Sequence, residues 1–500
     1  MKKLLVLLTL TLLTSAWLFA DWEQAYKALA DDGTVWDYFG CSVSISGDYA
    51  VVGAKGDDDS SGSAYMFHRS GATWTQQVKL TADDGAPWDF FGNSVSVSGD
   101  YAIVGAFRDD DNGDNSGSAY IFYRNGTVWT QQAKLTADDG SAGDFFGCSV
   151  SISGDYAVVG AYQDDDNGDE SGSAYIFYRS GTAWIQQAKL TADDGAAYDC
   201  FGYSVSICGD YAIVGAIWDG GGSGSAYMFH RNGTVWTQQD KLTADDGAAG
   251  DFFGCSVSIS GDYAIVGAYG DDDNGDMSGS AYMFYRNETA WIQQAKLTAD
   301  DGAYGDYFGD SVSISGNYAI VGASRDEDNG VASGSAYMFH RNGAVWAQQA
   351  KLTADDGALH AHFGTSVSIN GDYAIVGAPY DDDNGDMSGS AYMFEYSEIA
   401  IDEDSEMPIA TTLQAAYPNP FNPTTTIAFS LAEPAQITLC VYNLRGQLVR
   451  TLADGLFSAG GHSVVWDGLD THGEAVSTGV YLFRLETGSE VHVSKALLLK

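Results

Sequence analysis

The residue type most available for chemistry in this chain is aspartate, and it recurs in two kinds of loop. One reads Asp109-Asp110-Asp111-Asn112-Gly113-Asp114, with counterparts at 164–169, 271–276 and 381–386. Alternating carboxylates with an Asn, beside a Gly that lets the chain turn, are oxygen donors suited to a hard cation such as Ca²⁺. The candidate metal ligands are Asp109, Asp111, Asp114, Asp164, Asp166, Asp169, Asp271, Asp273, Asp276, Asp381, Asp383 and Asp386. Their spacing is not that of an EF-hand. The second loop carries Asp83-Asp84, Asp138-Asp139, Asp193-Asp194 and further pairs. The plain alternative for both is a set of solvated turns that keep the protein soluble.

Other reactive residue types are sparse. His360 and His362 form a His-x-His pair, which on a strand would face one way, as metal ligands could. His68, His230 and His340 share one repeat position that Tyr fills elsewhere, which suggests a strand end and not a ligand. Cys41, Cys148 and Cys255 also share one position, too far apart around a ring to pair. Three Asn-x-Thr sequons fall on a hairpin turn, where turn chemistry explains them. Nothing resembles a Ser/His/Asp set, a phosphate loop or a redox pair. Carboxylate pairs recur in every unit, whereas a catalytic pair is singular and environmentally distinct. The expectation is a non-catalytic protein.

The elements that must position these loops are repeats. Phe-Gly recurs from Phe39-Gly40 to Phe363-Gly364 at spacings of 52 or 55 residues, seven times in all. One unit holds Ser94 to Ser98, a Gly99-Asp100 turn, Tyr101 to Ala106, an acidic loop, Ser118 to Arg124, an Asn125-Gly126 turn and Val128 to Ala137. Four short strand-like runs with tight-hairpin turns and no helical period make one antiparallel blade. Trp129, Gln131, Ala133 and Leu135 are expected on one side of the fourth run. Its Trp recurs at Trp22, Trp74, Trp129, Trp184, Trp236, Trp291 and Trp346. The seventh unit stops after its third strand, and Trp22 precedes the first Phe-Gly. The N-terminal run Trp22 to Ala30 is therefore expected to close a seven-bladed ring as the missing outer strand.

These units resemble FG-GAP repeats, the blades of integrin-α-like propellers, through Phe-Gly, Ser-Val-Ser, Gly-Ala and Gly-Ser-Ala-Tyr across residues 22 to 396. The resemblance implies a protein or carbohydrate ligand at a cell surface, often with calcium. The family's calcium loop between first and second strands is replaced here by short turns such as Ser98 to Tyr101, so its calcium sites do not carry over. The Pro of Gly-Ala-Pro survives only at Pro379.

The chain ends carry addresses. Lys2 and Lys3, the apolar run Leu4 to Leu13 and a small-residue site at Ala20 read as a signal peptide over 1–20. Residues 21–396 are the propeller and 397–412 an acidic linker. Short alternating runs over 413–500 read as an immunoglobulin-like β-sandwich. Its motifs Tyr417 to Pro423, Val441-Tyr442-Asn443, Gly446-Gln447, Trp466-Asp467-Gly468, Gly479-Val480-Tyr481 and Lys495 to Lys500 resemble the type A C-terminal sorting domain of type IX secretion substrates. That domain is similar to the Ig-like domain of flagellar hook-capping proteins. The resemblance implies the type IX secretion machinery as a partner and the outer surface of a bacterium, or its medium, as the destination. A net charge of −45 argues against nucleic acid as a partner, and no transmembrane segment is expected after the leader. The combined reading is an all-β, secreted or surface-displayed binding or adhesion propeller with an unidentified protein or glycan ligand. A propeller-fold hydrolase or lyase, or a surface-layer protein without a specific ligand, are the alternatives.

Overall fold

The computed structural model describes residues 21–288, 290–397, 411–414, 416–417, 419–432, 434–457, 460–488 and 490–499. The expected leader, and nearly all of the expected linker, lie outside them. The chain divides into two compact units, Met1–Glu398 and Ile399–Lys500. No helix among the described residues is long and apolar enough to cross a membrane.

The first unit is a ring of seven four-stranded antiparallel sheets. Blade two is representative: Ser94–Ser98, Tyr101–Ala106, Ser118–Asn125 and Val128–Leu135, from the channel outward. Asp21–Ala28 is the outer strand of blade seven, pairing antiparallel with Ser390–Ser397. The expected closure is therefore observed. Blades one and four have the shorter loops between second and third strands, which accounts for the 52-residue spacings.

The core is a series of slabs between neighbouring blades. A register shift in the outer hairpin explains how one strand serves two slabs. Phe122 faces Gln131 while Ile121 faces Ala133, so Gln132 is bulged out. Beyond the bulge, side chains change sides. Trp129 enters the slab between blades one and two, and Leu135 the slab between blades two and three. This corrects the expectation that Trp129, Gln131, Ala133 and Leu135 share one side.

The inner strands are stitched together by serine. The Val97 N–H donates to Ser44 Oγ at 3.1 Å and the Ile152 N–H to Ser96 Oγ at 3.2 Å. The series runs round the ring to the Ile45 N–H on Ser368 Oγ. The Ser-Val-Ser alternation thus sends Val or Ile into the slabs and uses Ser as a blade-to-blade acceptor. Phe-Gly is explained by close backbone approach. Gly117 of blade two forms a parallel bridge to Phe146 of blade three. A Cβ on Gly147, whose φ is +89°, would stand 2.2 Å from the Ser118 carbonyl oxygen, so only Gly fits there.

The second unit is a β-sandwich. One sheet pairs Thr412–Leu413, Thr425–Leu431 and Gly460–Trp466; the other orders Leu448–Phe457, Ala435–Asn443, Gly479–Thr487 and Val491–Leu498. Ile427, Phe429, Leu439, Trp466, Phe483 and Leu498 form its core.

Candidate functional site

The loop between second and third strands and the loop leading into the next blade meet at one end of the ring, as loop alternation requires. Backbone hydrogen bonds zip them together. The Trp36 N–H donates to the Asp386 carbonyl at 2.9 Å, the Tyr198 N–H to Asp169 at 2.7 Å and the Gly305 N–H to Asp276 at 3.0 Å. Both acidic loop sets therefore crowd one face of the propeller.

Within each blade these carboxylates converge on a lysine. Lys134 Nζ lies 2.8 Å from Asp84, 2.9 Å from Asp109 and 2.5 Å from Asp111. The Tyr120 hydroxyl, buried, lies 2.8 Å from Asp109 and 3.0 Å from Asp84, and its single proton is shared between the two carboxylates. Ser118 Oγ and the Asp111 N–H donate to the other Asp109 oxygen. Lys79, Lys189, Lys296 and Lys351 repeat the arrangement with three aspartates each, and Lys241 with two, because its loop reads Asp219-Gly-Gly-Gly. Blade seven borrows Lys27 from the closing strand, 2.7 Å from Asp356 and 2.5 Å from Asp383. Burial alone would lower the Lys134 ammonium, but its carboxylate partners reverse this and raise it above the ordinary lysine value. The same contacts outweigh burial at Asp84 and hold it below the usual carboxylate range.

This geometry re-sorts the candidate metal ligands. The oxygens of Asp84, Asp109 and Asp111 lie within 4.8 Å of one another, as do those of Asp139, Asp164 and Asp166. Asp271 with Asp273, and Asp381 with Asp383, meet in the same way around Lys296 and Lys27. Asp114, Asp169, Asp276 and Asp386 stand apart, and it is their backbone carbonyls that pin the next blade's lead-in loop. Calcium takes about six to eight oxygen ligands. Here an ammonium already stands among the carboxylates, and both Asp109 oxygens accept protein donors. The donor sets fit a lysine as they stand, and a calcium ion would have to evict it. The sequence signal for these lysines is Lys-Leu-Thr-Ala-Asp-Asp at a constant offset before six of the seven Phe-Gly pairs, with Lys27-Ala-Leu-Ala-Asp-Asp at the same offset before the first.

The lead-in loops hold a second feature of this face. Trp36, Trp88, Tyr198 and His360 occupy one repeat position with φ of 71°, 77°, 71° and 62°. Gly143, Gly250 and Gly305 fill the same position in the other blades, also at positive φ. The four bulky residues are solvent-exposed, Trp88 by 64% and Trp36 by 49%. Two residues on, a second left-handed position holds Tyr38, Phe90, Phe145, Cys200, Phe252, Tyr307 and His362, none of them fully exposed. Phe90 stacks on Phe107 and Phe145 on Tyr162, with a tilted Phe107–Phe145 contact between the two pairs, at 5.6–5.7 Å around the channel mouth. His360 and His362 are thus in a turn, not on a strand, and among the described residues no cluster of metal-ligating residues includes them.

The channel below is lined by the residue after each Phe-Gly: Cys41, Asn93, Cys148, Tyr203, Cys255, Asp310 and Thr365. All six cysteines are free. Burial pushes the Cys148 thiol up to about 11 and the Asp310 carboxyl to about 7. The opposite face carries the arginines of the third-strand ends, Arg69, Arg124, Arg179, Arg231, Arg286 and Arg341. Arg124 stacks on Tyr49 of the preceding blade at 4.2 Å and pairs with Asp100 of its own turn, so these arginines latch neighbouring blades.

The FG-GAP repeat model matches seven segments: 22–67, 74–122, 129–177, 184–229, 236–284, 291–339 and 346–394. The chain belongs to the FG-GAP repeat family. Each match begins at the Trp of an outer strand and ends in the third strand of the next blade, so a family repeat is offset from a structural blade. The offset makes Trp22–Phe67 the first repeat and leaves no partial repeat at either end. The FlgD Ig-like domain model matches residues 417–490 of the sandwich. No curated protein matches the chain.

Proposed function

We propose that this FG-GAP protein is an exported, non-catalytic binding module whose ligand docks on the acidic face. The carrying observation is the row of exposed Trp36, Trp88, Tyr198 and His360 in left-handed backbone. A bulky L-residue there costs about 1–2 kcal/mol, which Gly avoids. Three blades use Gly, so the fold has no need of the side chain. Strain retained at exposed aromatic positions is a mark of a contact surface.

The test uses the full mature chain on protein and glycan arrays, beside a variant carrying Trp36→Gly, Trp88→Gly, Tyr198→Gly and His360→Gly. Ligand binding should disappear while the melting temperature stays near wild type. Binding that survives the four substitutions would overturn the reading.

The leader motif and the C-terminal motifs support export to the outer surface or medium, with the sandwich as the address read by type IX machinery. Deleting 413–500 should leave a folded propeller in the periplasm of its own host; normal surface delivery of the truncated chain would remove that role. We take the cation of the acidic loops to be the lysine ammonium, with calcium unnecessary for folding.

A further inference from the structure

We propose that the depression over blades six and seven is a subsite for a neutral glycan, an inference that rests on the acidic face being the binding face. Rings do not fill the channel mouth in every blade, since Lys55, Ile217, Ser324 and Pro379 follow the second strand in blades one, four, six and seven, and the depression lies where the adjacent blades six and seven both lack one. At the position just after the second strand, blades two, three and five carry Phe107, Tyr162 and Tyr269, which fill the channel mouth by stacking. Blade six carries Ser324, and blade seven has His362 in place of a lead-in Phe or Tyr. The missing rings leave a cavity of about 650 Å³ lined by Ser324, Tyr307, Arg325, His362 and Tyr380. A second cavity of about 580 Å³ shares Tyr307, Arg325, His360 and His362 and reaches Tyr304, which is 75% exposed. Both fall in the size range of small-ligand sites.

The chemistry of the walls selects the ligand. Tyr304 and Tyr380 offer exposed ring area, and the Tyr307 ring backs the Arg325 guanidinium at 4.4 Å. Arg325 also donates to the Tyr307 hydroxyl at 3.3 Å, which fixes the fork in place. The Arg325 guanidinium occupies the centre and opposes a cationic group at that point, although the lining as a whole is net negative. The surrounding carboxylates, Asp382, Asp386 and Glu327, repel an anionic one. Arg325 and the carboxylates present fixed donors and acceptors between aromatic planes. A neutral chain of sugar rings uses all of these at once, with hydroxyls for the polar groups and C–H faces for the tyrosines. His362 is held neutral below its ordinary value by burial, then by Arg325 and His360, so the cavity adds no second cation there.

The experiment is affinity electrophoresis of the full mature chain in gels containing starch, β-glucan, xylan or galactomannan, with alginate and polylysine as charged arms. At least one neutral polysaccharide should retard the protein, and alginate should not. Ser324→Tyr places there the ring that blades three and five carry; it costs some stability, because the buried Ser324 Oγ donates to the Asp310 carboxylate, and in protein shown by circular dichroism to be folded it should weaken retardation at least tenfold. Tyr307→Ala and Arg325→Ala should do the same, and Arg286→Ala, on the opposite face, should not. Polylysine slows any chain this acidic, so only slowing sensitive to Ser324→Tyr counts against the proposal. Retardation by no neutral polysaccharide, or retardation indifferent to Ser324→Tyr, would overturn it. If an array protein is then still bound through Trp36, Trp88, Tyr198 and His360, the binding face stands and only the glycan assignment falls.

Discussion

At Lys134 one ammonium holds three carboxylates, and Asp109 is buried beneath them. Replacing it as Lys134→Met leaves Asp109 with an unpaired buried charge, at a cost of about 1–3 kcal/mol. The same change vacates a three-carboxylate site. Wild-type protein, once chelated, should melt at a temperature that millimolar Ca²⁺ moves no further than matched ionic strength does. Lys134→Met should gain a calcium-specific increase by mass action, and scanning calorimetry of both proteins with and without Ca²⁺ measures it. A second residue-level prediction concerns pH. Burial, then the nearby charges of the acidic loops, pushes Asp89, Asp144 and Asp306 up to about 6. Between the unfolded aspartate value near 4 and about 6, the folded chain binds more protons than the unfolded one, so stability falls as pH rises through that window. Asp84 and Asp139 are shifted the other way, and their contribution is lost on acidifying below about 4. Melting temperature should therefore rise from pH 7.5 to about 5 and drop again below about 3.5. A steady fall on acidifying from pH 7.5 would contradict it.

At the scale of elements, the legibility of the sequence divides sharply. Strand number, hairpin turns and the overlapping closure are readable because Phe-Gly, Gly-Asp and Trp recur at fixed offsets. The lysine clamp was not readable by alternation, because the bulge at Gln132 swaps the sides of every residue after it. Strict alternation puts Lys134 on the side away from Trp129, whereas the bulge aims it back across Tyr120 toward Asp84. Carboxylates were legible as a crowded face, but not which of them converge, since Asp114 acts through its carbonyl and Asp84 arrives from the preceding loop. The left-handed aromatics left a faint sequence trace: Trp, Tyr or His alternating with Gly at one repeat position. The element most exposed to test is the closing strand. Deleting Asp21 to Gly33 removes Trp22 from its slab and Lys27 from Asp356, Asp381 and Asp383, and bares the edge of Ser390–Ser397. Aggregation or a melting point lowered by many degrees is expected in light scattering and thermal scans; a stable monomer would contradict the closure.

For the whole molecule, the two faces of the ring are chemically unlike. One carries seven lysine clamps among a large excess of carboxylates, and the other arginine latches on tyrosine. Much of the −45 charge is thereby confined to one disc. Raising NaCl from about 0.02 to about 0.5 M should stabilise the protein, because screening weakens that self-repulsion more than it weakens the partly buried clamps. A melting temperature that falls steadily with salt would show the exposed pairs to dominate instead.

The strand that seals the ring is made first and used last. Asp21–Ala28 leaves the ribosome before any blade exists, yet its partner Ser390–Ser397 is nearly 370 residues downstream. Until that segment arrives, blade seven has only its two inner strands, Ser366–Asn370 and Tyr373–Ala378, and Trp22 has no complete slab to enter. The loop to be closed spans the whole propeller, so closure is a late event with a high entropic barrier. A chain that emerges from its N-terminus onward therefore stays open until almost all of the propeller has appeared. The sandwich strands, from Thr412 onward, follow the segment that lets the ring shut. Topology alone thus delays the finished ring until nearly all of its own chain is available.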